Sequence, residues 1–143
     1  MSESGPGGRR ISVASILIGE LVDKVLFVPL VFGPIYAVGT EGPTFSIGAL
    51  VIGTACTCIG SFVAATRARD LPVVHGVAVG ALTFVLSFVR FLAVQVGDEP
   101  SVHSLPWEVT SWTASIGAGY IGGVIARTRV RHPMHTAHED GRP

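Results

Sequence analysis

Four ionisable residues interrupt apolar sequence. Glu20, Asp23 and Lys24 lie inside the run from Ile11 to Val38, and Arg90 lies inside the run from Leu71 to Val96. An ionisable side chain in hydrocarbon costs ~2.5–3.5 kcal/mol or more unless something relieves it, so each is a functional candidate by default. Two chemistries fit the types and spacing. Glu20 and Lys24 are i, i+4 in the favourable order and can neutralise each other on a helix, with Arg90 left either to pair with Asp23 or to snorkel to the outer headgroups. Alternatively, Glu20 and Asp23 form a proton or cation site whose charge changes as helices rearrange. Pro29 and the Gly33-Pro34 pair fit either reading: they free backbone carbonyls as broken transporter helices do, or they simply kink the chain.

The other reactive side chains offer less. His132, His135 and His138 recur every three residues, a spacing compatible with metal capture, but Pro133 opposes a helix there and a polar tail accounts for them equally well. His75 opens an apolar run beside Gly76 and reads as an interfacial residue, and His103 falls in a connector. Cys56 and Cys58, two apart, point to nearly opposite faces of a helix and are not expected to pair. No HExxH, GxSxG, Walker loop or dinucleotide fingerprint occurs. The expectation is therefore no catalytic residue, no metal, no cofactor and no enzyme.

The elements that must position these charges are apolar and long. Of 143 residues, 48% are hydrophobic and 14% charged, against roughly 25% charged in soluble domains. Four stretches, 11–38, 45–66, 71–96 and 107–126, each reach the ~20 residues that cross hydrocarbon as a helix. The expected fold is an all-α membrane protein, a four-transmembrane-helix bundle over residues 11–130, flanked by disordered tails at 1–10 and 131–143. A soluble helical bundle is disfavoured because the stretches lack a continuous polar face. A cleavable signal is disfavoured because the first run continues past its charges with no small-residue cleavage site. Asp70 is a candidate N-cap with Pro72 in the next turn, Ser104 another with Pro106 and Glu108 following, and Thr44 a third.

Arginine placement sets the topology. Arg9 and Arg10 precede the first stretch, Arg67 and Arg69 separate the second and third, and Arg127, Arg129 and Arg131 follow the fourth. The remaining connectors carry Glu41, Asp98 and Glu99 and no Lys or Arg. The positive-inside rule then puts both termini in the cytoplasm of a multi-pass protein of the cell (inner or plasma) membrane. Tyr36, Trp107 and Trp112 mark the outer interface. The chain's net charge is zero, so the expected contacts are membrane lipid and other membrane proteins, with no nucleic acid.

Two further patterns concern packing. Shifted by 62 residues, Ile59, Gly60, Ala64, Thr66, Arg67 and Arg69 fall on Ile121, Gly122, Ala126, Thr128, Arg129 and Arg131. A helical hairpin used twice in one orientation explains this; coincidence within a restricted alphabet is the alternative. Small residues also recur at helical spacing: Gly53 and Gly60 with Ala49 and Thr57, Gly76 with Gly80, and Gly119, Gly122 and Gly123 with Ser115, Ala118 and Ala126. Such ladders let helix backbones approach in lipid. They serve contacts within one chain or between copies, and small residues on more than one face of the fourth stretch favour a homo-oligomer. Gly19-x-x-x-Asp23, "GSFVAA" before its arginines, "VVHGVAVGAL" and "GAGYIGGVIA" together resemble the small, glycine-rich, four-span prokaryotic membrane proteins of unknown function. That resemblance implies membrane location and four helices, and no reaction or ligand. A glutamate in the first of four short spans is also similar to the small multidrug-resistance transporters. Their antiparallel dimers need a weak charge bias, however, and the bias here is one-sided.

These patterns lead to one functional expectation and one competitor. The first is a small self-associating structural or accessory membrane subunit. The second is a small proton- or cation-coupled transporter or channel component using Glu20 and Asp23.

Overall fold

Backbone hydrogen bonding organises the apolar runs into helices. The computed structural model describes residues 10–38, 43–68, 70–96 and 105–131. Among them are four α-helices and no strand: α1 Val13–Val38, α2 Pro43–Ala68, α3 Pro72–Val96 and α4 Leu105–Arg131. Arg9, Arg69, His103, Ser104, the histidine-bearing tail and the connectors at 39–42 and 97–104 lie outside the described residues, as do the side chains of Tyr36, Thr44 and Arg131. Two helical segments, Ile47–Ala68 in α2 and Pro72–Val94 in α3, are long and apolar enough to cross a membrane. α1 carries three charges near its centre, and α4 is diluted by glycine, serine and threonine.

The helix ends differ from the apolar limits for a physical reason. Hydropathy marks where side chains change solvent, whereas a helix runs until its hydrogen bonds stop. Hence α4 continues five residues beyond Ala126, through its arginines, and α2 begins at Pro43, which places Thr44 inside the helix and not at its cap. Pro72 is the first residue of α3, where a missing N–H costs nothing. The residue before it, Leu71, takes the cap position at φ 51°, so Asp70 lies one residue too early to be the N-cap.

Glycines set the helix contacts. α1 crosses α2 at Gly19 and Gly60, where a methyl on Gly19 would stand 2.6 Å from the Gly60 carbonyl oxygen and 2.7 Å from Ala64 Cβ. α3 meets α4 along Gly76, Gly80, Gly119 and Gly123; a methyl on Gly119 would stand 2.6 Å from the Gly76 carbonyl oxygen. α2 meets α4 at Gly122, against Cys58, Ser61 and Phe62, and Gly53 takes the ring of Phe27 from α1. All seven ladder glycines therefore pack against other helices of the same chain. α2 and α3 each touch the other three helices, whereas α1 and α4 do not meet among the described residues. Shifting α2 by 62 residues lays Pro43 on Leu105, the first residue of α4, and Ala68 on Val130, one short of its last.

Burial is uneven along the bundle. In α2, α3 and α4 every buried residue lies within 56–65, 75–83 and 118–126, the half of each helix nearest the arginines. Toward the other end, Val31 of α1 is the one buried residue among those described. The core is also polar. Ser15, Glu20, Asp23, Thr57, Ser61, His75 and Thr83 are buried, while Leu17, Leu21, Val51, Leu86, Ile116 and Ile121 are exposed.

Candidate functional site

The carboxylates of Glu20 and Asp23 project from adjacent turns of α1 into the seam with α2 and α3. Both are buried, Asp23 to 1% exposure. Lys24 Nζ stands 3.0 Å from Glu20 Oε1 and 2.9 Å from Asp23 Oδ2, so one ammonium serves two carboxylates. Its best-aligned hydrogen bond is directed to Asp23, and Glu20 Oε1 is held by the same ammonium as an ion pair. The Lys24 side chain remains 41% exposed, so its stem lies on the outside and its head folds back to the acids.

Two threonines close the cluster from the facing helices. Thr83 Oγ1 of α3 lies 2.8 Å from Glu20 Oε2 and 3.3 Å from Asp23 Oδ2. A hydroxyl has one hydrogen, so Thr83 donates to one carboxylate at a time, and it can accept from the other only if that one carries a proton. Thr57 Oγ1 of α2 reaches Asp23 Oδ1 at 3.4 Å. Three helices are thus joined at one point. With both acids ionised the cluster holds two negative charges and one positive.

Arg90 does not join them. It is exposed and makes no ion pair among the described residues, so the expected Asp23–Arg90 pair does not form. The reason is reach. Arg90 lies seven residues beyond Thr83 on the same stripe of α3, about 10 Å further along the axis. Lys24, adjacent to Asp23, takes the place instead. Thr83 was invisible in sequence as a partner, because a lone threonine in an apolar helix ordinarily bonds its own backbone. Thr57 stands in the small-residue ladder, which signals contact but not a ligand.

A second polar centre sits at the arginine end. Ser12 caps α1: its carbonyl accepts from the Ile16 N–H, and its hydroxyl accepts from the Ser15 N–H at 3.3 Å and the Ser15 hydroxyl at 2.9 Å. The N–H of Ser12 itself points across to α3 and donates to His75 Nε2 at 2.8 Å. His75 Nδ1 lies 3.1 Å from the Leu71 carbonyl oxygen, which can only accept. These two contacts place Nε2 as an acceptor and leave Nδ1 facing a carbonyl oxygen. His75 is wholly buried among the helices. The available signal was Ser12-x-x-Ser15, a helix start facing a helix start.

Comparison with known proteins finds no match. No family model, no curated protein and no solved structure is similar to the chain.

The geometry alone therefore carries the reading. The arginines cluster where the packing is tight: Arg67 lies in the last turn of α2, and Arg129 lies over the Phe62 ring at 5.5 Å, tying α4 to α2. At the other end, Trp112 packs edge-on against Phe84, Phe88 and Phe91 and lines an apolar groove between α3 and α4. Cys56 and Cys58 are free thiols. Among the described residues, no three His, Cys, Asp or Glu side chains gather as a metal ion would require.

Proposed function

We propose that the chain is a polytopic membrane protein whose four helices all cross the bilayer, with both termini and the Arg67 turn in the cytoplasm. The observation that carries this reading is the inverted burial: threonines, serines, a histidine and two acids inside, and large aliphatic side chains outside on every helix. In water that arrangement exposes apolar surface and buries polar groups at a cost. In hydrocarbon it is the favourable one, because polar groups seek each other and aliphatic groups meet lipid. It supports spans for α1 and α4 as well as for the two more apolar helices. Resistance to alkaline carbonate extraction, with reporters active in the cytoplasm at both ends and outside at residues 39–42 and 97–104, tests it. Reporters at the two ends that read from opposite compartments contradict it.

Within that frame the chain acts as a small structural or accessory subunit of the cell membrane, similar in kind to the four-span, glycine-rich prokaryotic proteins. Glu20, Asp23, Lys24, Thr57 and Thr83 form a clamp that fixes α1 onto α2 and α3. Association with another copy or a membrane partner then falls to surfaces other than the ladder glycines. Cross-linking in native membranes that yields monomer alone removes the self-association.

One observation favours a second reading. The clamp has one carboxylate more than it has ammonium groups, and the surplus charge calls for a proton or a cation. A transporter or channel component using Glu20 and Asp23 would load there. Asp23→Asn separates the two: loss of folded protein supports the clamp, whereas normal yield with loss of a pH-dependent flux supports transport.

A further inference from the structure

We propose that the seam between α2 and α4 at the arginine end holds one anionic phospholipid of the inner leaflet, its phosphate on Arg129 and its acyl chains on the aliphatic surface beneath. This rests on the membrane reading above and adds to it a lipid class and a place. Arg129 is exposed, and its guanidinium carbon stands 5.5 Å from the centre of the Phe62 ring on the neighbouring helix. A ring under a guanidinium steadies it without using its N–H donors. Among the described residues Arg129 forms no ion pair; both ion pairs there belong to Lys24. The donors are therefore left for an oxyanion from outside the chain.

The surface beneath suits lipid tails. Ile121, Ile125 and Arg129 are spaced i, i+4, i+8 and share one face of α4. Ile121 and Ile125 are exposed, and so is Ile59 of α2, three residues before Phe62. At Gly122 the α4 backbone lies against Cys58, Ser61 and Phe62, so these aliphatic side chains flank one shallow seam. Ile121 lies about 12 Å along the axis from Arg129, within a leaflet of about 15 Å. The choice of cation points the same way. Lys24 is the only lysine of the chain, and every basic residue outside the apolar stretches is an arginine. Topology asks only for positive charge, which lysine supplies equally. Arginine adds a planar fork that takes a phosphate through two hydrogen bonds.

Native mass spectrometry of the full-length protein, released from micelles with added phosphatidylglycerol or phosphatidylcholine, tests the site. The first phosphatidylglycerol should bind about fivefold more tightly than phosphatidylcholine, the scale of one arginine at a membrane surface. Arg129→Gln should remove that preference. Arg127→Gln deletes the same charge two residues away, on an exposed side chain, and should keep it. Equal losses from the two variants, or a wild type without preference, overturn the proposal by reducing it to diffuse attraction. A measurement on the wild type alone stands beside this. Phosphatidylglycerol with a diazirine in its acyl chain, photolysed in vesicles, should label residues 59–66 and 121–129 above the rest. Labelling spread evenly over the four helices contradicts the site even where Arg129→Gln fails to fold. Failure of the membrane reading itself is distinct: alkaline carbonate then releases the chain, and neither lipid binds.

Discussion

The half of the bundle near the arginines and the half away from them are built from the same four helices by different means. In the first, backbones touch through Gly19, Gly60, Gly76, Gly119, Gly122 and Gly123, and the side chains between them are small or hydrogen-bonded. In the second, large rings do the filling: Phe27 lies over Gly53, and Trp112 lies among three phenylalanines. Gly48 and Gly117 in that half face open space. The acid–lysine–threonine cluster sits at the boundary. Dispersion between closely packed backbones holds the first half together. The second half keeps aliphatic surface toward its solvent and depends on a few aromatic contacts. If hydrocarbon surrounds the helices, as proposed, the order of importance is atomic proximity first and a few desolvated polar contacts second.

The largest effect should come from bulk placed between touching backbones. Gly119→Leu drives a side chain into the Gly76 carbonyl and the Gly80 backbone, and should cost more than about 3 kcal/mol of unfolding free energy in micelles, or abolish folded yield. Gly117→Leu, two residues away and facing open space, should change stability by less than about 0.5 kcal/mol. Equal losses from the two would erase the distinction between the halves.

Next in size are the charges. Asp23→Ala leaves Thr57 without its acceptor but Lys24, 41% exposed, still paired with Glu20, and should cost about 2–3 kcal/mol, the scale of lost hydrogen bonds to a charged group. Arg90→Gln, on an exposed side chain without an ion pair, should cost under about 0.5 kcal/mol. Denaturation of the two variants side by side checks this, and a large loss from Arg90→Gln would restore the Asp23–Arg90 pairing. Thr83→Val is smaller: it keeps the shape and removes one hydroxyl from two buried acceptors, at about 1–3 kcal/mol. The smallest effect belongs to the far half. Phe88→Leu removes one of three ring contacts to Trp112 and should cost under about 1.5 kcal/mol, measured by the same melts.

Much of the arrangement was legible in the sequence. Four helices follow from run length and backbone hydrogen bonding, and the small-xxx-small spacing named the glycines that touch. Spacing could not say whether Gly119 meets another helix of the chain or a second copy, since both present the same flat surface. The Glu20–Lys24 pair followed from i, i+4 geometry. The partner of Asp23 did not, because its choice between Lys24 and Arg90 depends on depth along two different helices, to which composition is blind. Thr83 and the Ser12–His75 bond were illegible for a related reason. Each joins residues 63 apart in sequence, 20 to 83 and 12 to 75, through a crossing that local pattern does not encode.

The account depends most on hydrocarbon surrounding all four helices, α1 and α4 included. Nitroxide spin labels, one at a time at Leu21, Val51, Leu86 and Ile116, each an exposed aliphatic position on a different helix, test this in lipid vesicles by power saturation with oxygen and a water-soluble nickel chelate. All four labels should collide often with oxygen and rarely with the chelate. Chelate collisions at Leu21 or Ile116 as frequent as those of a label in free solution would place α1 or α4 in water and contradict the four-span bundle.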